Sequence, residues 1–137
     1  MTGSGDTIAV DGVVTLREAI ASINAGANIN ADVVPVGVYG TSDTISFAIG
    51  TGVQTISPAG SQLPALTKPV VIDATTQPGF AGIPLIVLDG VSAGAFSRGL
   101  TSTRATARRA GSSSFVFSTG SSSSPTAGTR WPATTSA

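Results

Sequence analysis

"DTISFAIGTGVQTISPAGSQLPALTKPVVIDATTQPGF", residues 43–80, decides how this chain folds. It is a series of short aliphatic runs, at 44–48, 54–57 and 70–73, cut apart by Gly50, Gly52, Pro58, Gly60, Pro64, Pro69 and Pro78-Gly79. Runs of this length, rich in Val, Ile and Thr and bounded by turn residues, predict β-strands. A further run lies at 85–89 and a weaker one at 7–10. Thr44-Ile45-Ser46 returns as Thr55-Ile56-Ser57 after 11 residues, and Val71-Ile72-Asp73 as Val87-Leu88-Asp89 after 16.

Two architectures use short strands with irregular turns. An antiparallel sandwich would announce itself by hairpin turns, yet the Asp-Gly steps at Asp11-Gly12 and Asp89-Gly90 do not join two strands at two-residue spacing. A parallel β-helix stacks Ile and Val in interior ladders and needs no such turns, which suits these runs better.

Ahead of the strands, residues 15–24 predict one helix. Thr15 and Glu18 form an S/T-x-x-E capping box, and Leu16, Ala19, Ile20 and Ile23 make a single apolar stripe. Gly26 is its stop signal. So short a helix must lie on something apolar, and at the open end of a solenoid it serves as a cap.

With no Cys and no His, the chain has no disulfide framework, thiolate nucleophile, Cys/His zinc site or imidazole-based triad. No apolar run reaches the roughly 18–20 residues that span a bilayer. The start, Met1 to Asp6, lacks the basic and apolar regions of a signal peptide, so a signal would lie outside this sequence. A zero net charge hides an asymmetry. Residues 1–100 hold all seven acids against Arg17, Lys68 and Arg98, while 101–137 hold Arg104, Arg108, Arg109 and Arg130 and no acid.

The stretches "TLREAIASINA" (15–25), 43–80 and "IPLIVLDGVSAG" (83–94) resemble the opening of bacterial secreted right-handed parallel β-helix proteins of the pectin-lyase-like fold. That family begins with a Ser-Leu-Arg-Glu-Ala-Ile helix, often preceded by Cys, and continues through T-I-x-P, P-V, I-D-G-x-T-Q-P-G and I-x-L-x-G phrases. Val14-Thr15 stands here in place of Cys-Ser, and Ala74 where the family favours Gly. If that position needs φ > 0, Ala74 strains its turn by about 1 kcal/mol. The resemblance implies an all-β chain: the start of a right-handed parallel β-helix with an N-terminal capping helix over 1–100. It also implies a secreted or cell-surface protein with a structural, adhesive or carbohydrate-binding role, its partner a polysaccharide or surface glycan. The alternative is the N-terminal piece of a pectate-lyase-like lyase or a glycoside hydrolase whose catalytic coils lie further on.

The resemblance ends after Gly99-Leu100. Residues 101–137 hold 18 Ser/Thr, four Arg and few aliphatics, the composition of a disordered segment. Read one base earlier, the codons of Trp131-Pro-Ala-Thr-Thr-Ser-Ala137 accommodate V-A-G-N-Y-I-G, a phrase of the family's later coils. The tail is therefore expected to be a frame-shifted reading of further coils, which removes Trp131 from the candidate ligand-stacking residues. Its arginines have little aromatic interleaving and no folded module around them, so no nucleic-acid partner is expected.

The chemistry expected from the rest is sparse. Asp73 and Asp89 end repeated strand phrases; one coil apart they would stack within about 5 Å, as paired carboxylates of a hydrolase or, in the lyase alternative, as Ca²⁺ ligands. The other reading makes each a turn-former. Gln77 and Phe80, in the Thr75–Phe80 loop, would form a sugar platform of amide and ring, or else a Pro-Gly turn with Phe80 folded on the core. Thr15 and Glu18 are expected to act as a helix cap. No metal or other cofactor is expected outside the lyase alternative. "GSGD" (3–6) and "GTG" (50–52) lack the Lys and Ser/Thr of a phosphate loop.

Overall fold

The computed structural model describes residues 1–40, 42–95 and 97–101, with the backbone strands at 108–110 and 115–118. The helix α1 spans Leu16–Ala25, with Thr15 as its N-cap. The Thr15 hydroxyl accepts from Glu18 N–H, and the Glu18 carboxylate accepts from Thr15 N–H, so both halves of the capping box are present. Gly26 closes the helix at φ 70°, its N–H bonding to the carbonyls of Ser22 and Ile23. Leu16, Ile20 and Ile23 are buried and join the core formed by the strands.

Among the described residues six strands follow: β1 (Asp43–Ser46), β2 (Gln54–Ile56), β3 (Val70–Asp73), β4 (Ile86–Asp89), β5 (Arg108–Ala110) and β6 (Phe115–Ser118). They form two parallel sheets, ordered β1-β3-β5 and β2-β4-β6. The chain thus alternates strand by strand between two ladders. Asp43 pairs with Val70, a return of 27 residues (70 − 43), and Gln54 with Ile86, a return of 32 (86 − 54). Each parallel neighbour needs a crossover, and here the crossover carries a strand of the other sheet. Register sets Ile45 beside Ile72 and Ile56 beside Leu88. All four are buried, and with Phe47, Ile49, Leu63, Leu66, Val70 and Ile86 they make one continuous hydrophobic core with the apolar stripe of α1.

Several expectations change. The repeated phrases lie on successive sheets rather than on successive coils: Thr44–Ser46 is in β1 and Thr55-Ile56 in β2, while Val71–Asp73 is in β3 and Val87–Asp89 in β4. Spacings of 11 and 16 residues are simply shorter than one return. β1 stops at Ser46 because the next inward amides, of Phe47 and Ile49, bond to side chains instead of to a neighbouring strand. Residues 7–10 form no strand, since the Ala9 N–H and C=O are taken by the side chains of Glu18 and Asn30. Ala74 opens a 3-10 turn, Ala74–Thr76, whose residues have negative φ, and no glycine is needed there.

The described part of 101–137, a segment whose composition predicts disorder, includes the backbone strands β5 and β6. Their backbones extend the two ladders, pairing with β3 and β4. An uncovered parallel edge presents a row of free N–H and C=O groups that any extended segment can satisfy. The rest of the tail, including Trp131 and Arg130, lies outside the described residues.

Candidate functional site

The loop that follows β3 is the most distinctive stretch in the sequence, and its polar groups are turned inward. Asp73 caps the 3-10 turn, its Oδ1 accepting from the N–H and hydroxyl of Thr75. The Thr76 hydroxyl accepts from Phe47 N–H at 2.7 Å and donates to the Asp73 carbonyl. Gln77 is buried, only 1% exposed. Its Nε2–H donates to the Ile49 carbonyl at 2.6 Å, and its Oε1 accepts from Ile49 N–H at 3.0 Å. Two side chains therefore carry the β1–β3 ladder onward where β3 has turned away.

This arrangement corrects the sugar-platform reading. The Gln77 amide is occupied on both sides by main chain and offers nothing to a hydroxyl. Phe80 is partly exposed, in a turn where Phe80 N–H bonds to the Gln77 carbonyl and Gly79 takes φ 87°. Asp73 and Asp89 are not a pair. Asp73 faces Ser46 in one ladder, Asp89 faces Ser118 in the other, and the Asp89 carboxylate accepts from Val91 N–H. Each forms a turn. Among the described residues no group of three or more His, Cys, Asp or Glu side chains is placed to hold a metal ion.

A second polar cluster surrounds the start of α1. Glu18 is 1% exposed. Its Oε1 accepts from Ala9 N–H at 2.9 Å and the Asn30 amide at 2.6 Å, and its Oε2 accepts from Thr15 N–H at 2.8 Å. Burial pushes its pKa up, but the hydrogen bonds from Thr15 N–H, Ala9 N–H, Asn30 and the Thr15 hydroxyl outweigh that and hold it below its ordinary 4.5. Beside it, Arg17 makes a two-pronged ion pair with Asp6, Nη2 lying 2.8 Å from Oδ2 and Nε 3.0 Å from Oδ1. Arg17 also donates to the carbonyls of Ser61 and Gln62, and Asp6 accepts from Ala59 N–H. At the far end of the helix, Asn24 bonds to Ala65 and Thr67. Thr15 and Glu18 were legible as a capping box. Arg17, Asp6, Asn24 and Asn30 were not singled out, because their partners, side chains as well as loop backbone groups, are brought near only by the fold.

A cleft of about 730 Å³ lies between β1 and the loop at 32–39. Its walls include Val34, Val36 and Val38, which are 78%, 107% and 94% exposed, and Asp32 and Asp43 are its only charged side chains. No described helix is long and apolar enough to cross a membrane. Comparison of the chain with known protein families, with curated proteins and with solved structures finds no match.

Proposed function

We propose that this chain is the opening module of a secreted or surface-displayed right-handed parallel β-helix, with an architectural role in adhesion or carbohydrate binding. The observation that carries this reading is the alternation of strands between two parallel ladders with buried aliphatics in register, covered by an amphipathic helix. Such stacking gives a rigid body on which loops are displayed. The polar side chains most suggestive of chemistry (Asp73, Gln77, Glu18, Arg17) are engaged in fixing loops and caps, which supports a scaffold over a reactive centre. A lyase or hydrolase would have to draw its catalytic groups from elsewhere, because Asp73 and Asp89 stand in different ladders.

The test is a polysaccharide array probed with the labelled full chain, run beside an assay for unsaturated or reducing-end products from pectin. Retention on one class of surface glycan without product formation is the expected result. Product formation would replace the scaffold reading with the enzymatic one, and an array with no retained glycan would remove carbohydrate as the partner.

A further inference from the structure

The strap joining α1 to β1 is fixed at both ends and unbonded between them. At its start the Asn30 carbonyl oxygen accepts from the N–H groups of Asp32 and Val33, and Val33 is buried. At its end Tyr39 packs against the core and donates its hydroxyl to Asn28, and Gly40 N–H bonds to the Asp43 carboxylate. Val34-Pro35-Val36-Gly37-Val38 makes no hydrogen bond among the described residues, and its three valine side chains stand almost wholly exposed. Val34 precedes a proline, which favours extended backbone there, and the Pro35 ring holds its own φ near about −65°. Residues 34–36 are thus already close to the extended form that a groove reads through alternate side chains. Gly37, at φ 107°, has the backbone freedom to follow.

We propose that the Val36–Gly37 bond is a limited-proteolysis site for an endopeptidase with a small aliphatic primary pocket, and that the nicked chain stays assembled. Water supplies both halves of the cut. Its hydroxide adds to the Val36 carbonyl carbon, the C–N bond breaks, and its proton goes to the Gly37 nitrogen. A shallow pocket takes the isopropyl group of Val36 and excludes larger side chains. Neighbouring bonds are worse placed. The nitrogen after Val34 is locked in the proline ring, and cutting after Val38 would pull Tyr39 from the core and from Asn28. Val10, Val53 and Val91 are also exposed, but bonded amides hold the main chain at each. Asp11 N–H is bonded to Asp32, Gln54 N–H to the Leu85 carbonyl and Val91 N–H to Asp89. After the cut, residues 1–36 remain tied to the sheets by the apolar stripe of α1, by Arg17 on the Ser61 and Gln62 carbonyls, and by Asn24 on Ala65 and Thr67.

Elastase at a catalytic ratio to the full chain is the probe, with new amino termini identified by sequencing over time. A fragment beginning at Gly37 is expected to form at least about tenfold faster than those beginning at Asp11, Gln54 or Ser92, because cleavage follows the population of unbonded main chain. In native size exclusion it should elute together with residues 1–36, and the two should part only in denaturant. Val36→Phe should slow the elastase cut at least about tenfold and make the same bond a chymotrypsin site, because the pocket and not the backbone has changed. Cutting after Val10, Val53 or Val91 before Val36, an unslowed elastase cut in Val36→Phe, or separation of the fragments without denaturant would overturn the proposal. The order of cuts is read on the unaltered chain and stands even if Val36→Phe fails to fold.

Discussion

The side-chain amide of Gln77 lies on the main chain of Ile49 as a neighbouring strand's peptide group would, donating to its carbonyl at 2.6 Å and accepting from its N–H at 3.0 Å. Both residues are buried, so water cannot take over either bond. Gln77→Ala leaves two buried backbone groups unsatisfied, each worth roughly 1–3 kcal/mol. The expected loss is about 2–6 kcal/mol, seen as a lower urea midpoint with an unchanged m-value. Gln77→Glu should be worse, because a carboxylate oxygen would then face the Ile49 carbonyl.

Ala74 reverses an expectation drawn from sequence. If its position needed positive φ, Ala74→Gly would relieve strain and stabilise the chain. In the fold it is fully buried at the head of a 3-10 turn. Glycine there only adds freedom to the unfolded chain and removes a core methyl, so Ala74→Gly should cost about 1 kcal/mol. A raised midpoint in thermal or urea unfolding would show the turn to be strained after all.

These two residues also mark how far the sequence could be read. The capping box and the apolar stripe of α1 were legible because helix signals are local: Thr15, Glu18 and Leu16 each act within one or two turns. Strand positions were legible for the same reason, from β-branched runs between breakers. Ladder membership was not. The Val-Ile-Asp and Val-Leu-Asp phrases look like successive coils, yet they belong to different sheets, because every inward face selects the same residue types. For Gln77 both a ligand-binding and a turn reading stood open, since a polar side chain that completes a distant strand is indistinguishable, in sequence, from one that meets solvent. Asp6 and Arg17 escaped notice because nothing local announces that a loop will close over them.

Arg17 and Asp6 tie α1 to the loops at 3–6 and 58–62, and their side chains are 14% and 9% exposed. Removing one partner leaves the other charge largely desolvated, so Arg17→Ala should cost about 3 kcal/mol. Arg17→Lys keeps the charge but loses the fork that reaches Asp6, Ser61 and Gln62 together, and should recover less than half of that loss. A double-mutant cycle with Asp6→Asn isolates the pair. A coupling energy near zero would reduce the contact to packing.

Glu18 sets a pH dependence whose sign is determined by its depressed pKa. A carboxylate with a folded value below its unfolded one contributes its full stabilisation above the unfolded value near 4.5. That contribution is lost as pH falls through the folded value. Glu18→Gln replaces an acceptor oxygen with an NH₂ facing donors, costing about 1–3 kcal/mol at pH 7. The variant should also show a shallower loss of stability than the parent in acid. Urea midpoints at pH 7, 5, 4 and 3 provide the comparison; parallel curves for the two proteins would assign the acid sensitivity to other groups.

The Ser-rich tail makes a prediction at the level of the gene. Where serine is encoded by TCN, reading one base earlier turns each serine codon into one ending in TC, which can specify only Ile, Val, Leu or Phe. Ser112-Ser113-Ser114-Phe115 then becomes four such residues in a row, and Ser121–124 another four. Thr and Ala codons read the same way give Asn, Asp, His or Tyr, and Gly, Ser, Arg or Cys. Those sets supply the polar and small turn residues that separate strands. The minus-one frame across codons 101–137 is thus expected to run without a stop and to alternate aliphatic strands with turns, ending in a phrase compatible with V-A-G-N-Y-I-G. Serines encoded by AGY would instead yield Lys, Gln, Glu or stop codons in that frame. Sequencing the locus distinguishes the two outcomes, and finding AGY serines or an early stop would identify the tail as a natural Ser/Thr-rich segment.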